Sequence, residues 1–220
     1  MKYYYDIKYP YLLYWAEGGM YSVPPILLSK LYYAYFHKKP STFFDCGAAN
    51  GAIMQMAIDC GMDAYGVDIK QYEKSNNPHC LYITTHRVSG KKHFFNKVAF
   101  PDNRLDKLFE TNKIEIKSIF DCSPIKTDLA YFNGILTYFD ESILPTVLTK
   151  FKNVNMICAI HNTTEDYNIA LKRGNKLGTC QKLKTVRPNK WWIDTFNKNG
   201  FYAQFNKQLH CFVAIPMKQK

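Results

Sequence analysis

The residues of this chain that can do chemistry gather in one short stretch, Phe43-Phe44-Asp45-Cys46-Gly47-Ala48-Ala49-Asn50-Gly51-Ala52. An apolar run ends in an acid, and glycines follow at 47 and 51. A glycine-rich turn between a strand and a helix brings backbone groups close to a ligand and aims the positive helix end at it. The dinucleotide fingerprint needs Gly at its first, third and sixth positions. Here Gly47 is followed by Ala49 and Ala52, so that fingerprint fails. Asp45, just before the turn, would repel a pyrophosphate and suits a ligand that carries a cation. Asp68 closes the next apolar run, Ala64 to Ile69, where a carboxylate can accept both hydroxyls of a ribose.

The elements that must position these acids follow from the spacing of apolar residues. Thr42 to Cys46 reads as a buried strand. Asn50 to Cys60 carries Ile53, Met54, Met56, Ala57 and Ile58 at helical spacing, and Gly61 stops it. Ala64 to Ile69 is a second buried strand, so the three elements make a βαβ unit and hence a parallel sheet. Further strands are expected over Leu81 to Thr84, over Ile114 to Phe120 with Asp121 at its end, over Leu129 to Phe132 and over Met156 to Ile160. Helices are expected from Pro25 to a stop near Pro40, from Asn103 to Phe109, from an Asp140 N-cap to Phe151, and from Asn189 to Asn199 before Gly200. Phe201 to Phe205 and Leu209 to Ile215 read as a closing hairpin. Alternating strands and helices followed by such a hairpin make a doubly wound α/β sheet with an antiparallel edge.

Over about residues 40–70 and 114–217 the sequence resembles the class I S-adenosylmethionine-dependent methyltransferases. That family opens with an acid followed by x-Gly-x-Gly-x-Gly. Asp45, Gly47 and Gly51 match, and Ala49 replaces the middle glycine. The resemblance implies a mostly parallel seven-stranded sheet with an antiparallel C-terminal strand and helices on both faces. It implies S-adenosylmethionine as cofactor, held by Asp45, Cys46, Gly47, Ala49, Asn50 and Gly51 of the turn. Asp68 and Ile69 match its ribose-binding strand end, and Asp121 with Cys122 its adenine contact. Asn133-Gly134 would lie beside the methionine end of the cofactor. The family has no single catalytic residue; His161 and Tyr138 are the candidate bases here. The implied organisation is an aromatic extension or lid over 1–40 and a methyltransferase domain over 41–220 with an insertion around 71–113.

Composition bounds the partners. The 220 residues are 47% hydrophobic and 21% charged, which suits one globular domain and excludes a disordered tail. Lys and Arg number 29 against 18 Asp and Glu, giving +11, a field that favours anionic partners. No acid stands between Asp166 and Asp194, whereas Lys182, Lys184 and Arg187 belong to a dense basic run there. Arg87, Lys91, Lys92 and Lys97 make a second. If the two converge, the mouth of the site suits a phosphate-bearing acceptor, nucleic acid included. Three readings stand: a methyltransferase for a small or medium-sized acceptor, a nucleic-acid (RNA) methyltransferase, and a catalytically silent binding module on the cofactor fold. The seven cysteines are odd in number and form no C-x-x-C pair, which points to a reduced, cytoplasmic protein. His79, Cys80, His86 and His93 match no zinc spacing, so no metal is expected. No signal peptide or membrane-spanning run is legible.

Overall fold

The computed structural model describes residues 23–48, 51–69, 83–85, 92–94, 107–108, 110–160, 163–165 and 184–217. Seven strands form the main sheet: β1 Thr42–Cys46, β2 Asp63–Asp68, β5 Ile114–Ile116, β6 Leu129–Asn133, β7 Met156–Ile160, β8 Phe201–Asn206 and β9 Cys211–Pro216. Their order is β5-β2-β1-β6-β7-β9-β8. The first five run parallel, and β9 runs against both β7 and β8. Two short strands, β3 Ile83–Thr85 and β4 Lys92–Phe94, pair antiparallel as a separate ribbon between β2 and β5 in the chain. Four helices have full bounds: α1 Pro25–Phe36, α2 Ala52–Asp59, α3 Leu144–Thr149 and α4 Asn189–Lys198.

The strand pleat sorts the core into two layers. Phe43, Leu129, Tyr131, Met156 and Cys158 pack in one cluster with Leu28 and Tyr32 of α1 and Met54 and Ala57 of α2. Their neighbours Phe44, Ala130, Phe132, Ile157 and Ala159 pack with Leu144, Val147 and Leu148 of α3 and Trp192 and Phe196 of α4. Successive side chains of a strand point to opposite faces, so continuous apolar runs such as Met156–Ile160 need helices on both sides. Every residue of that strand is buried. Pro25 opens α1 at a position where its missing N–H costs nothing. Among the described residues no helix is long and apolar enough to cross a membrane, and no disulfide joins the described cysteines.

Three expected boundaries differ. The strand expected over Ile114 to Phe120 stops at Ile116. Ser118 then accepts the Phe120 N–H on its hydroxyl and starts a 3-10 turn over Ile119–Asp121. The helix expected from Asp140 begins only at Leu144. Pro145 accounts for this, because inside a longer helix its ring would strike the carbonyl of Glu141. Asp140 is therefore no N-cap; its carboxylate pairs with Lys184 instead. The helix expected from Asn50 begins at Ala52, after Gly51 in a left-handed conformation. Of the segment 103–109, Lys107 and Leu108 are helical.

The amino ends of the strands are tied by Asp128. Its carboxylate accepts from the Ser41 N–H and hydroxyl at 2.7 Å, from Tyr32 at 3.1 Å and from Asn155 Nδ2 at 2.7 Å, with Lys38 at 3.8 Å. One side chain thus joins α1, the start of β1, the start of β6 and the approach to β7. Partial burial acts to raise this carboxyl, but the Ser41, Tyr32 and Lys38 partners outweigh it and hold it below 3.8. A carboxyl lowered by folding stabilises the fold above its unfolded value and loses that contribution as the pH falls through the folded one. We expect Asp128→Ala to lower the unfolding free energy by about 2–3 kcal/mol at pH 7, since it strands the donors of Ser41, Tyr32 and Asn155. The deficit should shrink below pH 4 in urea titrations; a variant as stable as wild type at pH 7 contradicts the network.

Candidate functional site

The site lies at the carboxyl ends of β2, β1 and β6, at the end of the sheet opposite Asp128. From β1 the chain turns to β2 on one side, while β6 flanks β1 on the other. Such a switch point leaves a crevice between loops that depart to opposite faces. Asp45 stands one residue from the end of β1, in register with Gly66 of β2 and Tyr131 of β6. It is 2% exposed, and its Oδ1 has no hydrogen-bond partner among the described residues. Burial, with the negative charge of Asp68 added, pushes its carboxyl up to about 8. A buried carboxyl oxygen without a partner is costly unless something arrives to complement it.

Among the described residues, the turn after Asp45 spends its own donors. Both the Gly47 and Ala48 N–H groups donate to the Val67 carbonyl, at 2.9 and 3.0 Å, and the Gly51 N–H donates to Ala48 at 2.8 Å. A loop built to cradle phosphate keeps such amides for its ligand. The described part of this one presents the Asp45 carboxyl group and carbonyl oxygens, acceptors that suit a positively charged ligand. The expectation that its amides reach the ligand is therefore corrected for Gly47 and Gly51. Gly51 has φ +82°, and a Cβ there would lie 2.6 Å from side-chain carbons of both Ile114 and Leu108. Only glycine allows α2 to start this close to β5.

The other expected site residues fall around this turn as follows. Cys46 ends β1, but its thiol joins the opposite core layer, and burial pushes it well above the ordinary thiol range, with Asp45 adding to the shift. Asp68 ends β2 half-buried, and its carbonyl accepts the Lys117 N–H at 2.9 Å. Ile69 beside it is 72% exposed, an apolar surface next to the acid. Asp121 is exposed at the end of the 3-10 turn beyond β5, and Cys122 is buried after it. Burial raises the Cys122 thiol, while Lys117 and Lys150 pull against the shift. Asn133 ends β6, and Gly134 follows at φ +75°, its N–H donating to Ile160 of β7 at 2.8 Å. Tyr138 closes the next 3-10 turn, Ile135–Tyr138, and is 40% exposed. Ala49, Asn50, His161 and Lys182 lie outside the described residues.

Lys184 and Arg187 differ from the expectation of cations held ready for substrate. Lys184 Nζ lies 2.7 Å from Asp140, and Arg187 Nη2 lies 2.5 Å from Glu141. Their charge is met by acids that the local sequence does not contain. Two features of the site were not read from the sequence. Gly66 packs against the carbonyl of Asp45; a glycine inside an apolar strand is the signal of such an approach. Thr137 and Thr185 are buried polar residues at the loop after β6, and nothing in the local pattern marks them.

No family model matches the chain, and no curated protein matches it in sequence. Solved structures match in fold. Human N-acetylserotonin methyltransferase, solved in complex with SAM, superposes with a TM-score of 0.53 at 12% identity, over 81% of this chain and 48% of that one. The 1,6-didemethyltoxoflavin-N1-methyltransferase of Burkholderia thailandensis, with its didemethyltoxoflavin and S-adenosylhomocysteine bound, gives 0.53 at 10% identity over 88% and 78%. The plantazolicin methyltransferase BpumL, in complex with a desmethyl analogue and SAH, gives 0.55 at 10% identity over 97% and 88%. The chain spans about half the length of the human enzyme. The fold is that of the class I methyltransferases.

Proposed function

We propose that this chain is an S-adenosylmethionine-dependent methyltransferase acting on a small or medium-sized acceptor. The observation that carries the reading is Asp45: a buried carboxyl group with an unpartnered oxygen, at the switch point, beside a turn in which the Gly47, Ala48 and Gly51 amides are already used. That donor set fits a ligand with a cationic amino-acid end and does not fit a pyrophosphate. The cofactor supplies a methyl group already activated on a sulfonium. Asp45 and the carbonyls of the turn would complement its positive end, and Asp68 would take the ribose hydroxyls. Ile69 would lie along the adenine, with Asp121 and Cys122 at its polar edge. Asn133 and Gly134 would border the methionine end. The bound cofactors of the three structural neighbours support the same reading.

For such a transfer the protein mainly has to align the acceptor and exclude water, and alignment alone supplies much of the rate. A base is required only where the acceptor's proton is tightly held. Tyr138, exposed at the rim, and His161 remain our candidates for it. Neutralisation of Lys184 and Arg187 by Asp140 and Glu141 favours a compact acceptor over a polyanion, which leaves nucleic acid as the second reading. Cytoplasmic residence fits a cofactor of this kind and is part of the proposal.

The test is calorimetric titration with S-adenosylmethionine and S-adenosylhomocysteine. We expect micromolar binding of both, lost in Asp68→Ala while the circular dichroism spectrum is kept. Wild-type protein that binds neither ligand would move the silent binding module to first place. Asp68→Ala protein that binds as wild type does would displace the ribose assignment.

A further inference from the structure

The loop after β6 is gripped from outside by the segment that leads into α4. The Thr137 carbonyl accepts two backbone donors, Lys184 N–H at 2.9 Å and Thr185 N–H at 3.1 Å. The Thr185 hydroxyl donates to the Phe139 carbonyl at 2.7 Å, and the Thr137 hydroxyl donates to the Gly134 carbonyl at 2.7 Å. Both threonines are buried, at 0% and 1% exposure. The Lys184–Asp140 and Arg187–Glu141 pairs lie on the exposed side of the same contact. The gripping segment is itself held from behind. The Thr164 N–H donates to the Arg187 carbonyl at 3.2 Å, and the Glu165 carboxylate accepts the first N–H of α4 from Asn189 at 3.2 Å. Residues 184–189 therefore sit between the exits of β6 and β7.

This arrangement is more than a loop needs for burial alone. Residues 134–139 form a single 3-10 turn behind a left-handed glycine, which has few internal hydrogen bonds to define it. Its shape is imposed by partners about 46 residues further along the chain. The exposed ion pairs contribute little each. The buried hydroxyl of Thr185 and the two amides on Thr137 carry the register, because a buried carbonyl left without a donor is costly.

We propose that residues 184–187 are a clamp that holds the Asn133–Tyr138 loop in the shape that receives the amino-acid end of the cofactor, with Thr185 as its positioning residue. The inference rests on the proposed function and adds an assignment to it. Thr185 touches no ligand; it acts through the Phe139 carbonyl and the turn beneath it. The basic residues of this segment thereby have a role in shaping the site in place of a role in binding phosphate.

The test compares two probes. S-adenosylhomocysteine carries the amino-acid end; 5′-methylthioadenosine carries the same nucleoside and thioether without it. In Thr185→Val the affinity for S-adenosylhomocysteine should fall about tenfold, while that for 5′-methylthioadenosine stays within a factor of two. Thr185→Ser should restore the first. Amides of 134–139 should exchange faster in Thr185→Val by a larger factor than those of β1, β6 and β7, which report the global loss of stability. The double variant Asp140→Ala with Glu141→Ala, which alters only exposed side chains, should show the same selective loss at about threefold. Equal losses for both probes, or no loss for either, overturn the clamp while leaving the cofactor site standing. Wild-type protein that binds neither probe overturns the proposed function, and the clamp's role with it.

Discussion

Binding of S-adenosylmethionine to the wild-type protein should tighten as the pH rises towards 8 and then level off. In the free protein Asp45 is held by burial, and by the charge of Asp68, in its protonated form up to about 8. A cationic ligand favours the carboxylate, so the bound pKa must lie lower. Between the two values binding releases a proton, and the affinity can change by up to tenfold per pH unit. Calorimetry at pH 7 in two buffers of different ionisation enthalpy reads that proton directly. We expect close to one proton released by wild type and none by Asp45→Asn, whose affinity should be weaker by at least tenfold. An apparent enthalpy independent of the buffer in wild type would remove Asp45 from the ligand's contacts.

The same acid has an opposite effect on the unliganded fold. Its carboxyl is raised from 3.8 to about 8 on folding, so the native state binds more protons across that window. Stability is fully present below about 4 and declines as the pH rises to about 8. Asp45→Asn has no proton to lose there. Its stability relative to wild type should grow across the window by an amount on the order of 5 kcal/mol. Urea midpoints at pH 5 and pH 9 measure this; a gap that stays constant rules out the titration. A residue that destabilises the free protein and is relieved by a ligand is what a binding site looks like in energetic terms.

The second large effect is expected at Gly66. A Cβ at this position would lie 2.6 Å from the carbonyl oxygen of Asp45, 2.9 Å from Met54 Sδ and 3.0 Å from Ala48 Cβ. The thioether of Met54 can move aside. The carbonyl cannot, because it belongs to the β1 backbone directly before the turn. In Gly66→Ala the added methyl must push β1 and β2 apart where Gly47 and Ala48 bond to Val67. Overpacking of this kind costs about 1–3 kcal/mol, and here the displacement falls on the turn proposed to hold the cofactor. We expect S-adenosylhomocysteine affinity to fall by more than tenfold at a temperature where the variant is fully folded by circular dichroism. Folded Gly66→Ala protein with wild-type affinity would show that the turn tolerates the shift.

How much was legible in the sequence follows from the range of the forces involved. The runs Thr42 to Cys46, Ala64 to Ile69, Leu129 to Phe132 and Met156 to Ile160 were readable because a strand buried on both faces must be a continuous apolar run. The carboxyl ends of those runs displayed Asp45, Asp68 and Asn133, since only at its end can such a strand turn polar. The chain's α/β class, its βαβ unit and the end of the sheet that carries the candidate site were thus written in local pattern. Strand and helix limits were less so, because Ser118 and Pro145 act through single hydrogen bonds and steric contacts that apolar spacing does not register.

The partners of the charged residues were not legible at all. A run of lysine and arginine reads as a free cationic rail until the fold brings Asp140 and Glu141 against Lys184 and Arg187. Nothing in the local sequence marks Asp128 as the acid on which Ser41, Tyr32 and Asn155 converge. The shift at Asp45 arises from the burial of β1 between β2 and β6 and from Asp68 on a neighbouring strand, a desolvation that residue types alone do not encode. Hydrophobic periodicity is a property of neighbours in the chain. Pairing of charges and desolvation of an acid are properties of neighbours in space, and only the tertiary structure decides those.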